Sequence, residues 1–158
     1  KVELSEENYD LLDEVIHQLC EQGRLLEEQN AMQHGSTSVY EHSVNVAYKS
    51  LLLVENYRLP VDKQSLVRGA LLHDYFLYDW HEKDGGHRLH GFRHPAFALY
   101  NASKDFSLNR KERNIIARHM FPLTVLPPRC LEAWIVCFVD KYCAFSETMG
   151  DGRIQWER

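Results

Sequence analysis

Nothing in this 158-residue sequence marks a disulfide scaffold, a membrane span or a nucleic-acid coat. Cysteine is scarce: Cys20, Cys130, Cys137 and Cys143 include no CxxC pair and no framework spacing, so they read as buried free thiols of a reducing cytosol. Positive charge is in deficit, with 18 Lys+Arg against 23 Asp+Glu and a formal charge of −5. That balance argues against a protein built to coat nucleic acid, which would show a basic face. No apolar run approaches the ~18 residues of a membrane-spanning helix. No signal-peptide pattern is visible, and the chain opens on Lys1 rather than Met, as a trimmed chain would. Period-two alternation, internal repeats and low-complexity runs are also missing. The expected setting is cytoplasmic.

What is present is helical periodicity and histidine. The composition, 44% hydrophobic and 26% charged, is that of an ordinary globular protein, and the length is that of one domain. Ser5 is a candidate N-cap for a first helix carrying Leu12, Val15, Ile16 and Leu19, expected to run over about 5–28. Ser38 with Glu41 forms a capping-box pattern before a second helix that ends near Pro60. Asp62 can cap a third, which arrives at His73 and Asp74. Residues 75–93, centred on Gly85-Gly86, show no sustained period and read as a long loop. Pro95 then suits a first helical position. Asn109 with Glu112 can cap the helix before His119, and Pro127-Pro128 opens a last long helix. The expectation is an all-α bundle, a single domain over 1–158.

Nine histidines in a mildly acidic chain raise the question of a metal. His17 has mostly charged neighbours at helical offsets and reads as surface. His34, His81, His87 and His90 lie in connections. The other four sit differently. Asp74 follows Leu71, Ala70, Val67 and Leu66 at core-face offsets, with His73 at the edge of that face. Asp140 has Val136, Cys137 and Cys143 around it at the same offsets. His42 lies between Val39 and Val46, His94 precedes Phe97 and Ala98, and His119 follows Ile115 and Ile116. A single inward His or Asp is ordinarily a satisfied core hydrogen bond. Two carboxylates and four imidazoles on inward faces of five helices need a shared positive partner, because each is costly to bury alone. A divalent cation provides one, and the mixed nitrogen and oxygen donors suit Fe, Mn, Zn or similar ions. Two ions account for six ligands better than one.

The order His42, His73-Asp74, Asp140, with ALLHD closing an apolar stretch and CFVDK inside an apolar helix, resembles the HD-domain superfamily of metal-dependent phosphohydrolases. His94 in HGFRHPAFA and His119 in IIARHMF resemble the two further histidines of its dinuclear subgroup. The intervals of 31, 20, 25 and 21 residues between successive motifs are similar to that subgroup's, and the resemblance covers roughly 37–146. It implies His42, His73, Asp74 and Asp140 on one ion, with Asp74 bridging to a second ion held by His94 and His119. It also implies a metal-activated water as nucleophile, attacking phosphorus without a covalent enzyme intermediate. The chain departs from the common HDIGK pattern, reading HDYFL. No GYP signature follows His119, which argues against cyclic-dinucleotide cleavage.

The substrate is expected to be a nucleotide or another small phosphate ester, and not a nucleic-acid polymer or a membrane. Arg93, Arg118 and Lys141 each adjoin an implied ligand and are candidates for holding phosphate, along with Lys83, His87, Arg88 and His90. A cation beside a ligand on a helix is turned about 100° from it, so facing solvent is the competing reading. Tyr75, Tyr78, Trp80 and Phe92 could stack a base or pack their segment onto the bundle, and Asp79 is a candidate general acid. Two other functions fit the same ligand set: a di-iron oxygenase of the same superfamily acting on a small polyol or phosphonate, and a metal-bound sensor without turnover. Oligomeric state is not legible.

Overall fold

The computed structural model describes residues 3–30, 32–34, 37–75 and 87–149, of which 28, 30, 32–34 and 87–94 are described by backbone alone. Helix starts follow local capping chemistry. Ser5 opens α1 (Glu6–Gln22) by accepting from the Asn8 N–H. Ser38 and Glu41 form a complete capping box at α2 (Val39–Tyr57). Asp62 accepts from the Ser65 N–H at the head of α3 (Lys63–Leu72), and Asn109 with Glu112 makes a second capping box at α5 (Arg110–Arg118). Each cap pairs amide donors that a first helical turn leaves open, about 1 kcal/mol apiece. With α4 (His87–Asp105) and α6 (Leu131–Thr148) the architecture is all-α. A short antiparallel ribbon, β1 (Met32–His34) with β2 (Thr37–Ser38), is the departure from helix among the described residues.

Three boundaries differ from the sequence reading. The first helix stops at Gln22 instead of running to 28, and a 3-10 turn, Leu25–Asn30, follows. Gly23 lies so close to Phe106 that a Cβ there would stand 2.4 Å from its Cζ. That contact is tertiary and leaves no mark in local periodicity. Second, residues 87–93 are helical where a loop was expected over 75–93, and Pro95 lies inside α4 instead of starting it. An interior proline costs about 3 kcal/mol through a lost amide bond and a crowded carbonyl. Burial of Pro95, Ala98 and Ala102 offsets that cost. Third, α6 begins at Leu131, three residues beyond the diproline.

The core forms where α2 packs on α3 and α6, and α5 packs on α3, α4 and α6. Leu51, Leu66, Leu71, Ile115, Ile116 and Val136 are fully buried there. Gly69 permits the close approach of α3 to α5, since a Cβ on it would lie 2.4 Å from Ile115 Cδ1 and 2.9 Å from Ile115 Cβ. This contact matters for the site, because α3 delivers His73 and α5 delivers His119 at their C-terminal ends. Among the described residues no helix is long and apolar enough to cross a membrane.

Candidate metal centre

Five of the six inward residues read from the sequence are buried together: His42, His73, Asp74, His119 and Asp140. The side chain of the sixth, His94, lies outside the described residues, as do those of His87, Arg88, His90, Phe92 and Arg93; Tyr78, Asp79, Trp80, His81 and Lys83 lie outside them entirely. His42 comes from the first turns of α2 and Asp140 from the middle of α6. His73 and His119 are the C-caps of α3 and α5. Two helix C-termini, each the negative end of a macrodipole, therefore meet at the cluster.

Each imidazole is anchored by its outer nitrogen. His73 Nδ1–H donates to the Ala70 carbonyl at 2.6 Å, and His119 Nδ1–H donates to the Ile116 carbonyl at 2.8 Å. In both cases the capping ring pairs a carbonyl that the helix end leaves open. His42 Nδ1 lies 2.7 Å from Glu147 Oε2. With Nδ1 engaged in this way, all three rings turn Nε2 inward. That is how ligating histidines are held, their outer N–H fixing tautomer and orientation.

The inward atoms face carboxylate oxygens. Asp140 Oδ1 lies 2.7 Å from His42 Nε2 and 3.1 Å from His73 Nε2. Asp74 divides its oxygens: Oδ2 stands 3.2 Å from His73 Nε2 and 3.7 Å from His42 Nε2, while Oδ1 stands 3.3 Å from His119 Nε2. One ligand atom from each of His42, His73, Asp74 and Asp140 falls within 4.8 Å of the others. Neighbouring ligands around a cation with bonds of about 2.1 Å stand about 3.0–3.4 Å apart, so these side chains already hold nearly that spacing. Imidazole lone pairs aimed at carboxylate oxygens repel, and the cluster is tolerable only with protons or a cation at its centre. The donor set fits a divalent metal.

The protonation of the metal-free cluster shows the same demand. Burial alone lowers the His42 pKa, but hydrogen bonds to Asp140 and Glu147 outweigh it and push the value up to about 9. His73 is likewise carried well above its ordinary value, burial being overcome by the charges of Asp74 and Asp140. Burial raises Asp140, yet the His73 charge and the hydrogen bonds from both rings hold it well below the usual carboxylate range. Because the folded pKa of His42 exceeds its ordinary 6.5, its contribution to stability is complete below pH 6.5 and lost as pH rises through about 9. Thermal melts of chelator-treated protein should therefore show a melting temperature that falls across that interval. Saturating metal should reverse the trend, since protons compete for the same nitrogens. A flat metal-free profile would contradict this.

Of the remaining candidates, Arg118 Nη1 donates to the Pro127 carbonyl at 3.2 Å. Lys141 Nζ donates to the His119 carbonyl at 2.9 Å and to the Cys137 carbonyl at 3.4 Å, bracing the turn that carries His119. Tyr75 is buried as a packing residue. Its hydroxyl donates to Asp105 at 2.6 Å and accepts from the Arg24 N–H at 2.7 Å, and its ring meets Phe106 edge-on. His17 is exposed, as its neighbours implied. Glu147 was not read from the sequence as part of the site. It is buried, and its second oxygen, Oε1, has no hydrogen-bond partner. The available signal was its place seven residues after Asp140, two turns along the same helix face.

A family model described as HD domain matches residues 39–144, about two thirds of the chain. The matched span begins at the first residue of α2, ends within α6 and includes all six residues singled out above. No curated protein and no solved structure gives a significant match.

Proposed function

The chain belongs to the HD domain family, and from that premise we propose that it is a metal-dependent phosphohydrolase. Its substrate is a nucleotide or another small phosphate ester, cleaved at two divalent ions held by His42, His73, Asp74, His94, His119 and Asp140. The observation that carries the reading is Asp74, whose two oxygens face different imidazoles: Oδ2 toward His42 and His73, Oδ1 toward His119. A carboxylate divided in this way would let one residue serve two ions. The donor set of imidazole nitrogen and carboxylate oxygen suits iron, manganese or similar divalent ions. Bound there, such ions polarise phosphoryl oxygens and acidify a water.

The chain's own contribution is rigidity and burial. The Ala70 and Ile116 carbonyls and the Glu147 carboxylate hold three rings in one orientation, Nε2 inward, before any ion arrives. His94 stands on α4, which packs against α5, the helix that delivers His119. Arg93, His87 and His90 lie in the first half of α4 and are candidates for the substrate phosphate, with Arg118 and Lys141 once released from their backbone carbonyls.

Elemental analysis of purified protein, paired with phosphate release from a nucleotide panel in Mn or Mg, tests the reading. Two equivalents of metal per chain and metal-dependent release are expected. Fewer than two equivalents across the metals tested would remove the dinuclear assignment. A mixed-valent iron signal with O₂ uptake and no phosphate release would replace hydrolysis by oxygenase chemistry, and bound metal with no turnover of any kind would leave a sensor.

A further inference from the structure

The outer face of α6 is the least expected surface of the molecule. Leu131, Trp134, Phe138, Tyr142, Phe145 and Met149 follow one another at intervals of 3, 4, 4, 3 and 4 residues. At about 100° per residue all six fall within roughly 80° of the helix circumference, along a seam about 27 Å long. All six are exposed, from 40% at Leu131 to 69% at Phe145 and Met149. The opposite face of the same helix is buried through Ala133, Val136, Cys143 and Asp140. A helix apolar on both faces belongs to an interior, whereas one on a protein surface carries charge outward.

The charges of α6 do not lie along the seam. Its four charged residues are Glu132, Asp140, Lys141 and Glu147. Glu132 is buried on the Asp62 N–H and Lys111. Asp140 and Glu147 serve the metal centre, and Lys141 is folded onto the His119 carbonyl. The surface continues onto α2, where Leu53 and Tyr57, with Lys49 and Asn56 beside them, share a cleft with Phe138 and Tyr142, and Tyr57 is 71% exposed. Side chains of this size, a little over half exposed, leave on the order of 700 Å² of apolar surface. That exceeds the largest patch of a typical monomer, about 300–600 Å², and approaches the ~800 Å² each partner buries in a stable complex.

We propose that this seam is a homodimer interface, in which α6 of one protomer packs on α6 of a second copy about a two-fold axis. Three features favour a second copy as the occupant. The 3-4 spacing is that of helices packed side by side. The area matches one isologous patch, and an isologous contact needs only a self-complementary surface. Despite the net charge of −5, the six seam residues themselves carry no charge, and the cation beside them, Lys49, is held over the Tyr142 ring at 5.5 Å from its centroid, at the edge of the seam.

Sedimentation velocity on the full chain, from low to tens of micromolar, tests the proposal. The expected species has twice the chain mass of 18.6 kDa. Phe138→Glu and Phe145→Glu, made separately at exposed positions, should each weaken self-association about tenfold or more, with unchanged far-UV circular dichroism and metal uptake. Val125→Glu, at a still more exposed apolar site in the loop before α6, should leave the dimer intact. A wild-type chain monomeric at every concentration overturns the proposal, and so does a dimer that survives both seam variants. A dimer lost in Val125→Glu but not in the seam variants would move the interface elsewhere.

Discussion

Asp74→Asn should abolish phosphate release, with a loss of about three orders of magnitude or more, equivalent to about 4 kcal/mol of transition-state stabilisation. The substitution is isosteric and keeps one oxygen for His73 or His119, so the metal-free fold should persist. What disappears is the second charged oxygen, and with it the ability to serve both sides of the cluster at once. The two readouts to compare are bound metal by elemental analysis and melting temperature with and without Mn. The variant should bind less metal and lose most of the metal-induced rise in melting temperature, while far-UV circular dichroism without metal stays that of the wild type. Full metal content together with a wild-type rate would sink the assignment of Asp74 as the bridging ligand. Reduced metal with an unchanged rate would separate the metal from the chemistry.

The second large effect is expected at Glu147, which touches the cluster only through His42. Its carboxylate lies 2.7 Å from His42 Nδ1, so the ring's Nε2 is turned toward Asp140. Outer partners of this kind contribute about 10–100-fold to metal affinity. Glu147→Gln, which keeps an oxygen in place but removes the charge, should fall at the lower end of that range. Glu147→Ala, which removes the acceptor altogether, should approach the upper end. The discriminating measurement is the melting temperature without metal. A residue that merely packs would lower it in both variants. A positioning residue lowers it in Glu147→Gln only below about pH 9, where His42 is charged, and leaves it near wild type above that pH. Competition against a chelator of known affinity reads the metal term directly, and equal affinities in wild type and Glu147→Gln would dismiss the role.

Much of this protein follows from its sequence by local rules. The caps at Ser5, Ser38, Asp62 and Asn109 act over three or four residues, so hydroxyl, carboxylate and amide side chains are enough to start the helices where they start. Inward placement of His42, Asp74, His119 and Asp140 was legible for a similar reason. A polar residue flanked by apolar ones at helical offsets is carried to the core by its neighbours, and the cost of burying it points to a partner.

Tertiary structure decided the rest. It ended α1 at Gly23, where Phe106 approaches from far along the chain, and it kept Pro95 inside α4 by burying it. It supplied Glu147 to His42 across 105 residues, and it turned the two oxygens of Asp74 toward different rings. No helical period encodes which atom of a carboxylate faces which imidazole, because that depends on how α2, α3, α5 and α6 cross. The apolar seam on α6 has the same lesson. Apolar residues around an entire helix are visible in the sequence, but only packing shows which face the bundle covers and which face it leaves for another surface.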